Sequence, residues 1–536
     1  MRLPRLILAT ALLVGIAADA LLRRGFVGIA FPIWIGIVAL AAVLLARQGD
    51  RSPTREAYGW LVAAVVAAAG LAWRDASELQ ALDFLATLLS LGLAAVALGQ
   101  PHAALLGARL RDTVWAGARV LRDVFIGALP LTLRELVAAS SRDAGGRHRW
   151  PVLRVALIVI VLAVVFGALL SSADPIFASL VAIPDFDIEI FLSHVLVAGF
   201  FAWVFAGWSR GAFISAATAT RPPERLPLTL GMTDMTAALA TLDALFALFI
   251  LAQLGWLFGG EAFLQARTGL TAAEYARKGF FQMVFVVMLA VPLIVATRAL
   301  LAPSGDATRR HTRLAIPMVI LLLAMIASAA LRMRLYVQYF GLTTDRFYTL
   351  AIMAWLAFVL AWLAATALRG RDRHFVAGAV LSGFATLLVL NVVVPDRVVA
   401  RVNVARAQQP TPAGGTPLDL AYLSTLSGEA MSAAIAATLT PPANLSGSTV
   451  SAPRGAQQLT PVAQRCRAAQ RIRSRWGPSS RAAAERDEPG SWRQWNAGEQ
   501  GALELAAENA RALLAIEHEA CAAVSGTGAG SGPIVR

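Results

Sequence analysis

The sequence predicts an all-α, polytopic integral membrane protein with about eleven transmembrane helices and a C-terminal extracytoplasmic helical tail. Three observations predict it. Apolar residues make up 57 % of 536 and charged residues only 15 %, with a mean hydropathy of +0.64. Long apolar segments recur at bilayer length. The loops between them carry very unequal positive charge. A soluble chain has roughly 25 % charged residues, and a folded body this long cannot face water with Ala and Leu alone. A soluble enzyme, a disordered chain and a small disulfide-rich secreted protein are therefore excluded.

A bilayer core of about 30 Å takes roughly 20 apolar residues as a helix. Segments near 4–22, 25–46, 57–73, 79–99, 151–173, 188–208, 233–257, 279–301, 314–333, 347–368 and 375–394 meet this. The third is short and Ala-rich. The first begins with Arg2 and Arg5 and carries Ala18-Asp19-Ala20, a small-residue pattern resembling a signal cleavage site. An Asp there and the length of the apolar run favour an uncleaved span. With the N-terminus inside, inner segments hold 23 basic residues and outer loops nine, the asymmetry expected of cytoplasmic loops. The formal charge of +14 is thus an orientation signal for a bilayer and no invitation to nucleic acid.

Four regions follow. Residues 1–99 are a four-helix membrane segment, 100–150 a basic cytoplasmic loop, 151–394 a seven-helix membrane core and 395–536 an extracytoplasmic tail. In the loop, Leu105, Leu110, Val114, Val120, Leu121, Val124 and Phe125 recur at helical spacing beside Arg109, Arg111, Arg119 and Arg122. This pattern fits a helix on the anionic inner leaflet; a cytosolic hairpin that meets a protein partner is the alternative. The tail is helical in pattern over 418–439, 462–476 and 491–523, with flexible linkers at 408–417 and 440–461. It is a second surface for a protein partner. Both cysteines, Cys466 and Cys521, lie in it, and an outer tail sits where thiols pair.

Rare residues exclude much chemistry. Lys278 is the only lysine, so no phosphate loop of the Walker type exists. Two cysteines cannot supply a four-thiolate metal site. The six histidines are scattered, and no His-Glu-x-x-His or Gly-x-Ser-x-Gly occurs. No catalytic residue, metal or cofactor is expected.

Ionisable side chains inside a span are costly and mark functional candidates. Asp243 stands near the middle of the seventh span; Asp83, Asp19 and His194 lie nearer the outer interface. Asn391 in the last span is a candidate for bonding a neighbouring helix.

Four outer-side stretches carry a family resemblance. They are Ser172–Phe177 (SADPIF), Glu274–Phe281 (EYARKGFF), Tyr339–Tyr348 (YFGLTTDRFY), and Asn403-Val404-Ala405-Arg406 followed by Leu418–Leu423 (LDLAYL). Together they resemble an uncharacterised family of bacterial multi-pass membrane proteins catalogued as a domain of unknown function. The likeness covers roughly residues 150–435 and the tryptophan-bearing Ser491–Trp495. Where the family tends to show Ser-x-Asp-Ala-x-Pro, this chain has Ser427-Gly428-Glu429-Ala430-Met431-Ser432. The resemblance implies a fold and a location in the bacterial inner membrane, and no activity.

Asp174, Tyr275, Arg277, Tyr339, Arg346 and Tyr348 form the candidate outer-face site. The structural alternative for them is an aromatic belt with loop-locking ion pairs. Thr343-Thr344-Asp345 is expected to cap the tenth span with a side-chain oxygen. Three functions compete. An envelope sensor or scaffold acting through partners ranks first. A secondary transporter or channel using Asp243, with Pro292 and Pro317 interrupting its spans, is the alternative. An enzyme acting on a lipid-linked substrate through Asp174, Asp185, Asp187 or Glu189 ranks well below, because no His or metal set accompanies those carboxylates.

Overall fold

The computed structural model describes residues 3–49, 53–100, 104–106, 110–135, scattered positions from 155 to 170, 187–218, 231–268, 280–300, 305–410, 417–442, and 460–526 without 487 and 489. Among the described residues the chain is helical, with no strand. Nine of these helices are long and apolar enough to cross a membrane, and the apolar part of a tenth, Gln282–Arg298, is shorter. The expected span at 151–173 lies almost wholly outside the described residues, and nine of the eleven expected spans coincide with helices of membrane-crossing length. The chain is a multi-pass helical membrane protein, and it divides into two compact units.

The first unit comprises residues 1–72, 83–222 and 492–494. It contains α1 (Leu3–Leu22), α2 (Ala30–Gln48), α3 (Arg55–Trp73), most of α4 (Ser77–Gly99), α5 (Leu110–Ile126) and α6 (Ile188–Phe213). Lipid gives no hydrophobic drive for helices to associate, so close backbone approach through small residues matters. A Cβ on Gly15 of α1 would stand 2.2 Å from the Ala198 carbonyl oxygen of α6, so only glycine permits that crossing. The Ala-rich α3 follows the same logic. Ala57, Ala64, Ala67, Ala68, Gly70 and Ala72 lie on its buried face beside Trp60, Leu61 and Leu71. Trp34 buries its ring and donates from Nε1 to the Val14 carbonyl at 3.2 Å, satisfying an indole that water cannot reach.

The amphipathic α5 packs along α6. Asp123 is buried and takes Arg210 at 3.3 Å and Arg122 at 2.9 Å. Trp203 Nε1 donates to the Phe125 carbonyl at 2.8 Å. Gly207 admits the α5 backbone, since a Cβ there would lie 2.2 Å from the Asp123 carbonyl oxygen. The opposite face leaves Val114, Trp115, Leu121 and Phe125 exposed.

The second unit comprises residues 73–82, 223–491 and 495–536. Its apolar helices are α7 (Met232–Thr268), α8 (Phe280–Leu300), α9 (Gly305–Phe340), α10 (Thr344–Ala365) and α11 (Asp372–Val393). Met318, Leu322, Met325, Met353, Leu360 and Leu363 centre a core shared by α7 to α10. The tail follows as α12 (Pro395–Arg406), α13 (Leu420–Leu423), α14 (Met431–Leu439), α15 (Pro461–Trp476), α16 (Arg481–Arg486), α17 (Ala497–Glu508) and α18 (Ala510–Gly526). Two expectations are corrected. The pattern over 418–439 is not one helix: Asp419 caps α13, and a turn through Ser424–Ser427 precedes a 3-10 segment, Gly428–Ala430, and α14. The pattern over 491–523 breaks at Asn496, which caps α17, and at Asn509. Asn and Asp side chains offer the backbone local bonds that compete with helix continuation. Val399, Leu420, Leu423, Met431, Ile435, Ile472, Trp476 and Leu503 build the tail's own core, and Leu342 from the α9–α10 turn joins it. Cys466 of α15 and Cys521 of α18 form a disulfide, with their Cα atoms 5.2 Å apart.

Candidate functional site

At one end of the second unit the α3–α4 turn, the α9–α10 turn and the tail enclose a cavity of about 600 Å³. The α9–α10 turn is the Tyr-Phe-Gly-Leu-Thr-Thr-Asp-Arg stretch of the sequence, and α12 and α13 carry the Asn-Val-Ala-Arg and Leu-Asp-Leu-Ala-Tyr-Leu stretches. Chain segments far apart in sequence therefore build one site.

Its walls are assembled from reciprocal bonds to main chain. Gly341 turns the chain at φ +77°, a conformation that suits glycine. Beyond it, Leu342 N–H donates to Asn403 Oδ1 at 2.8 Å, and Asn403 Nδ2 donates to the Leu342 carbonyl at 2.6 Å. Asp396, 4 % exposed, accepts Thr344 Oγ1–H at 3.2 Å on one oxygen and Ser427 N–H at 2.9 Å on the other. In the α3–α4 turn, Asp75 N–H donates to Glu429 Oε1 at 2.8 Å and Asp75 Oδ2 accepts Gly428 N–H at 2.8 Å.

The α10 cap differs from expectation. Thr343 is the N-cap residue, but its side chain makes no capping bond. The Tyr422 hydroxyl accepts Thr344 N–H at 2.9 Å instead, and stands 3.2 Å from Thr344 Oγ1. Asp396 accepts only, so it takes the Thr344 hydroxyl proton and leaves Tyr422 to donate to Thr344 Oγ1. Burial pushes the Tyr422 hydroxyl above its usual pKa, against the pull of its bonds to Thr344, and keeps it a neutral donor. The first turn of α10 is thus capped by a residue of the tail.

Both arginines of the cavity are engaged. Arg346 donates to the Gly341 and Phe340 carbonyls and stacks on the Tyr336 ring, 4.1 Å from its centroid. Arg475 donates to the Thr425 and Leu426 carbonyls at 3.2 Å, approaches Asp75 at 3.6 Å and lies over Trp476. Glu78 and Asp345 are exposed at the cavity. Ser427 lines it, is 6 % exposed, and its Oγ has no hydrogen-bond partner among the described residues.

The candidate outer-face residues divide. Arg346 lines the cavity. Tyr348 is buried with Ala76, Leu79 and Leu390 behind it, and Tyr339 is half-buried outside the lining. Asp174, Tyr275 and Arg277 lie outside the described residues. Of the intramembrane candidates, Asn391 donates to Leu387 O at 3.2 Å, while its own carbonyl takes Arg74 at 2.5 Å. Asp243 is half-buried in α7, with Oδ1 shielded from solvent and no hydrogen-bond partner among the described residues. In the first unit His194 and Asp19 meet through Nδ1 and Oδ2, and Arg23 joins Asp19 at 3.2 Å. Asp83, 1 % exposed, lies so close to α3 that a Cβ on Gly70 would stand 2.1 Å from its Oδ2.

Sequence reasoning did not assign Asp75, Asp396, Asn403, Tyr422 or Ser427 a role. The available signal was Asp75 in the three-residue turn between two spans, followed by Glu78 in the first turn of α4. Among the described residues no set of three His, Cys, Asp or Glu side chains is placed to hold a metal ion. Comparison with curated proteins and with solved structures returns no match. A family model described as a domain of unknown function matches residues 61–437, and the chain belongs to that family, DUF4153.

Proposed function

We propose that the protein is an envelope sensor or scaffold of the bacterial inner membrane, with its N-terminus cytoplasmic and its tail outside. The observation that carries this reading is the cavity whose walls join the tail to the α9–α10 turn through Asp396, Asn403 and Tyr422. A ligand there touches two span ends and the tail at once, so its binding energy can bias their arrangement. The loop charges support the sidedness. The exposed Val114, Trp115, Leu121 and Phe125 of α5 support its lying against the inner leaflet. The test is hydrogen exchange on full-length protein in nanodiscs with and without an envelope extract. Protection gained in 340–348 and 395–430 supports the reading. Unchanged exchange there, together with a reporter fused at residue 536 found in the cytoplasm, defeats it.

Asp243 favours a second reading, a proton-coupled transporter, because a shielded carboxylate oxygen without a partner in mid-span is costly. Proteoliposomes holding a pH dye decide: acidification abolished by Asp243→Asn supports transport, and no flux in the parent protein removes it.

A further inference from the structure

We propose that the cavity selects a small organic cation, an ammonium group on a hydroxyl-bearing body. This rests on the cavity being a ligand site. What decides the occupant is the charge left over for a ligand. Four carboxylates and two guanidinium groups line the space. Arg346 is spent on the Gly341 and Phe340 carbonyls and on Tyr336, and Arg475 on two further carbonyls and Asp75. Both Asp396 oxygens are saturated by Thr344 and Ser427 N–H, and Asp75 Oδ2 by Gly428 N–H and Arg475. Glu78 and Asp345 remain. Among the described residues neither makes an ion pair, and Glu78 accepts only from its neighbour Ser77 at 3.1 Å. The charge offered to an incoming group is therefore negative, although the lining contains arginines.

A second, independent observation points to an occupant. Ser427 lines the cavity, and its Oγ, shielded from solvent, has no partner among the described residues. A buried hydroxyl left unpaired is costly, and a rotation about the Cα–Cβ bond brings it to a ligand hydroxyl or amine. Ser77, Thr343 and Thr425 add further hydroxyls to the lining. The volume of about 600 Å³ lies within the range of roughly 300–1,000 Å³ typical of small-molecule sites. The same chemistry comes from two sources, a free amine such as an amino sugar or the ethanolamine head of a lipid.

The experiment uses the full-length protein in phosphatidylglycerol nanodiscs, which carry no ammonium group. Thermal midpoint and equilibrium binding are measured with glucosamine, ethanolamine, N-acetylglucosamine and glucose 6-phosphate. A second arm replaces part of the lipid with phosphatidylethanolamine. The proposal expects the free amines to raise the midpoint and to bind. N-acetylglucosamine, neutral and of similar shape, does not. Glu78→Gln with Asp345→Asn, both exposed and so expected to leave the unliganded midpoint near the parent's, weakens amine binding about tenfold or more, and added salt weakens it in the parent. Ser427→Ala weakens it less. A response to phosphatidylethanolamine alone assigns the lipid source. Binding of glucose 6-phosphate without the amines overturns the cation assignment and leaves the site standing. No response to any probe in either arm overturns both.

Discussion

Asn403→Ala tests whether the tail is locked to the α9–α10 turn as the geometry states. The side chain makes two bonds to one residue, accepting Leu342 N–H at 2.8 Å and donating to Leu342 O at 2.6 Å. Both residues are buried, at 5 % and 6 % exposure. Truncation strands one main-chain donor and one main-chain acceptor where water does not replace the lost partner. Each unsatisfied group costs about 1–3 kcal/mol, so the pair comes to about 2–6 kcal/mol. At 1.4 kcal/mol per decade, local opening becomes roughly 30- to 20,000-fold more frequent. Native-state hydrogen exchange reads this directly as faster exchange of amides in 340–348 and 395–406. Asn403→Asp is the informative control. It keeps the acceptor for Leu342 N–H and sets a carboxylate oxygen against Leu342 O, so it loses as much or more. Exchange within about twofold of the parent for both variants would refute the reasoning, since the pair would then contribute nothing net of solvation.

Further outcomes follow from the same structure. Gly341→Ala places a Cβ 2.6 Å from Asn403 Oδ1 at φ +77°, so it lowers the thermal midpoint even though alanine is the smallest side chain available. Cys466→Ser releases a 55-residue loop and lowers tail stability by about 4 kcal/mol on the chain-entropy account, read by limited proteolysis of 460–526 with and without reductant. Gly207→Val drives a side chain into the Asp123 carbonyl, and protease cleavage within 110–135 rises as α5 lifts from α6. Glu499 has its pKa raised by burial first and by Asp75 next. Its stability contribution is full below the unfolded carboxylate range, near pH 4.3, and is lost as pH rises through the higher folded value. Glu499→Gln therefore raises the thermal midpoint at pH 7 and leaves it nearly unchanged at pH 4.

The spans were legible because a single physical demand, apolar length, writes itself locally. Even the Ala-rich α3 obeys it, most of its buried face being small residues. The tail was legible only in part. Its apolar positions were visible, but the breaks at Ser424–Ser427 and Asn496 depend on side chains that trade helix continuation for local bonds. The site was legible least. Arg346 stands out as a charge among aromatics; among the described residues main-chain carbonyls and the Tyr336 face hold it, contacts that leave no mark in local pattern. Asn403, Asp396 and Tyr422 show no partners in the sequence, because a partner 61, 31 or 78 residues away leaves no mark in local pattern.

The convergence of these stretches ties the tail to the start of α10. A span's first turn needs acceptors for its free N–H groups, and α10 obtains one from Tyr422 rather than from its own Thr343. The same hydroxyl pair reaches Asp396, whose other oxygen holds Ser427 N–H at the cavity wall. Any occupant that moves Ser427 therefore pulls on the carboxylate that fixes Thr344, and so on the cap of α10. Loss of a cap typically costs about 1 kcal/mol, a coupling within the range of roughly 1–3 kcal/mol common between linked sites. This chain of contacts explains why Tyr-Phe-Gly-Leu-Thr-Thr-Asp-Arg and Leu-Asp-Leu-Ala-Tyr-Leu belong together: one is the start of a span and the other holds the hydroxyl that starts it.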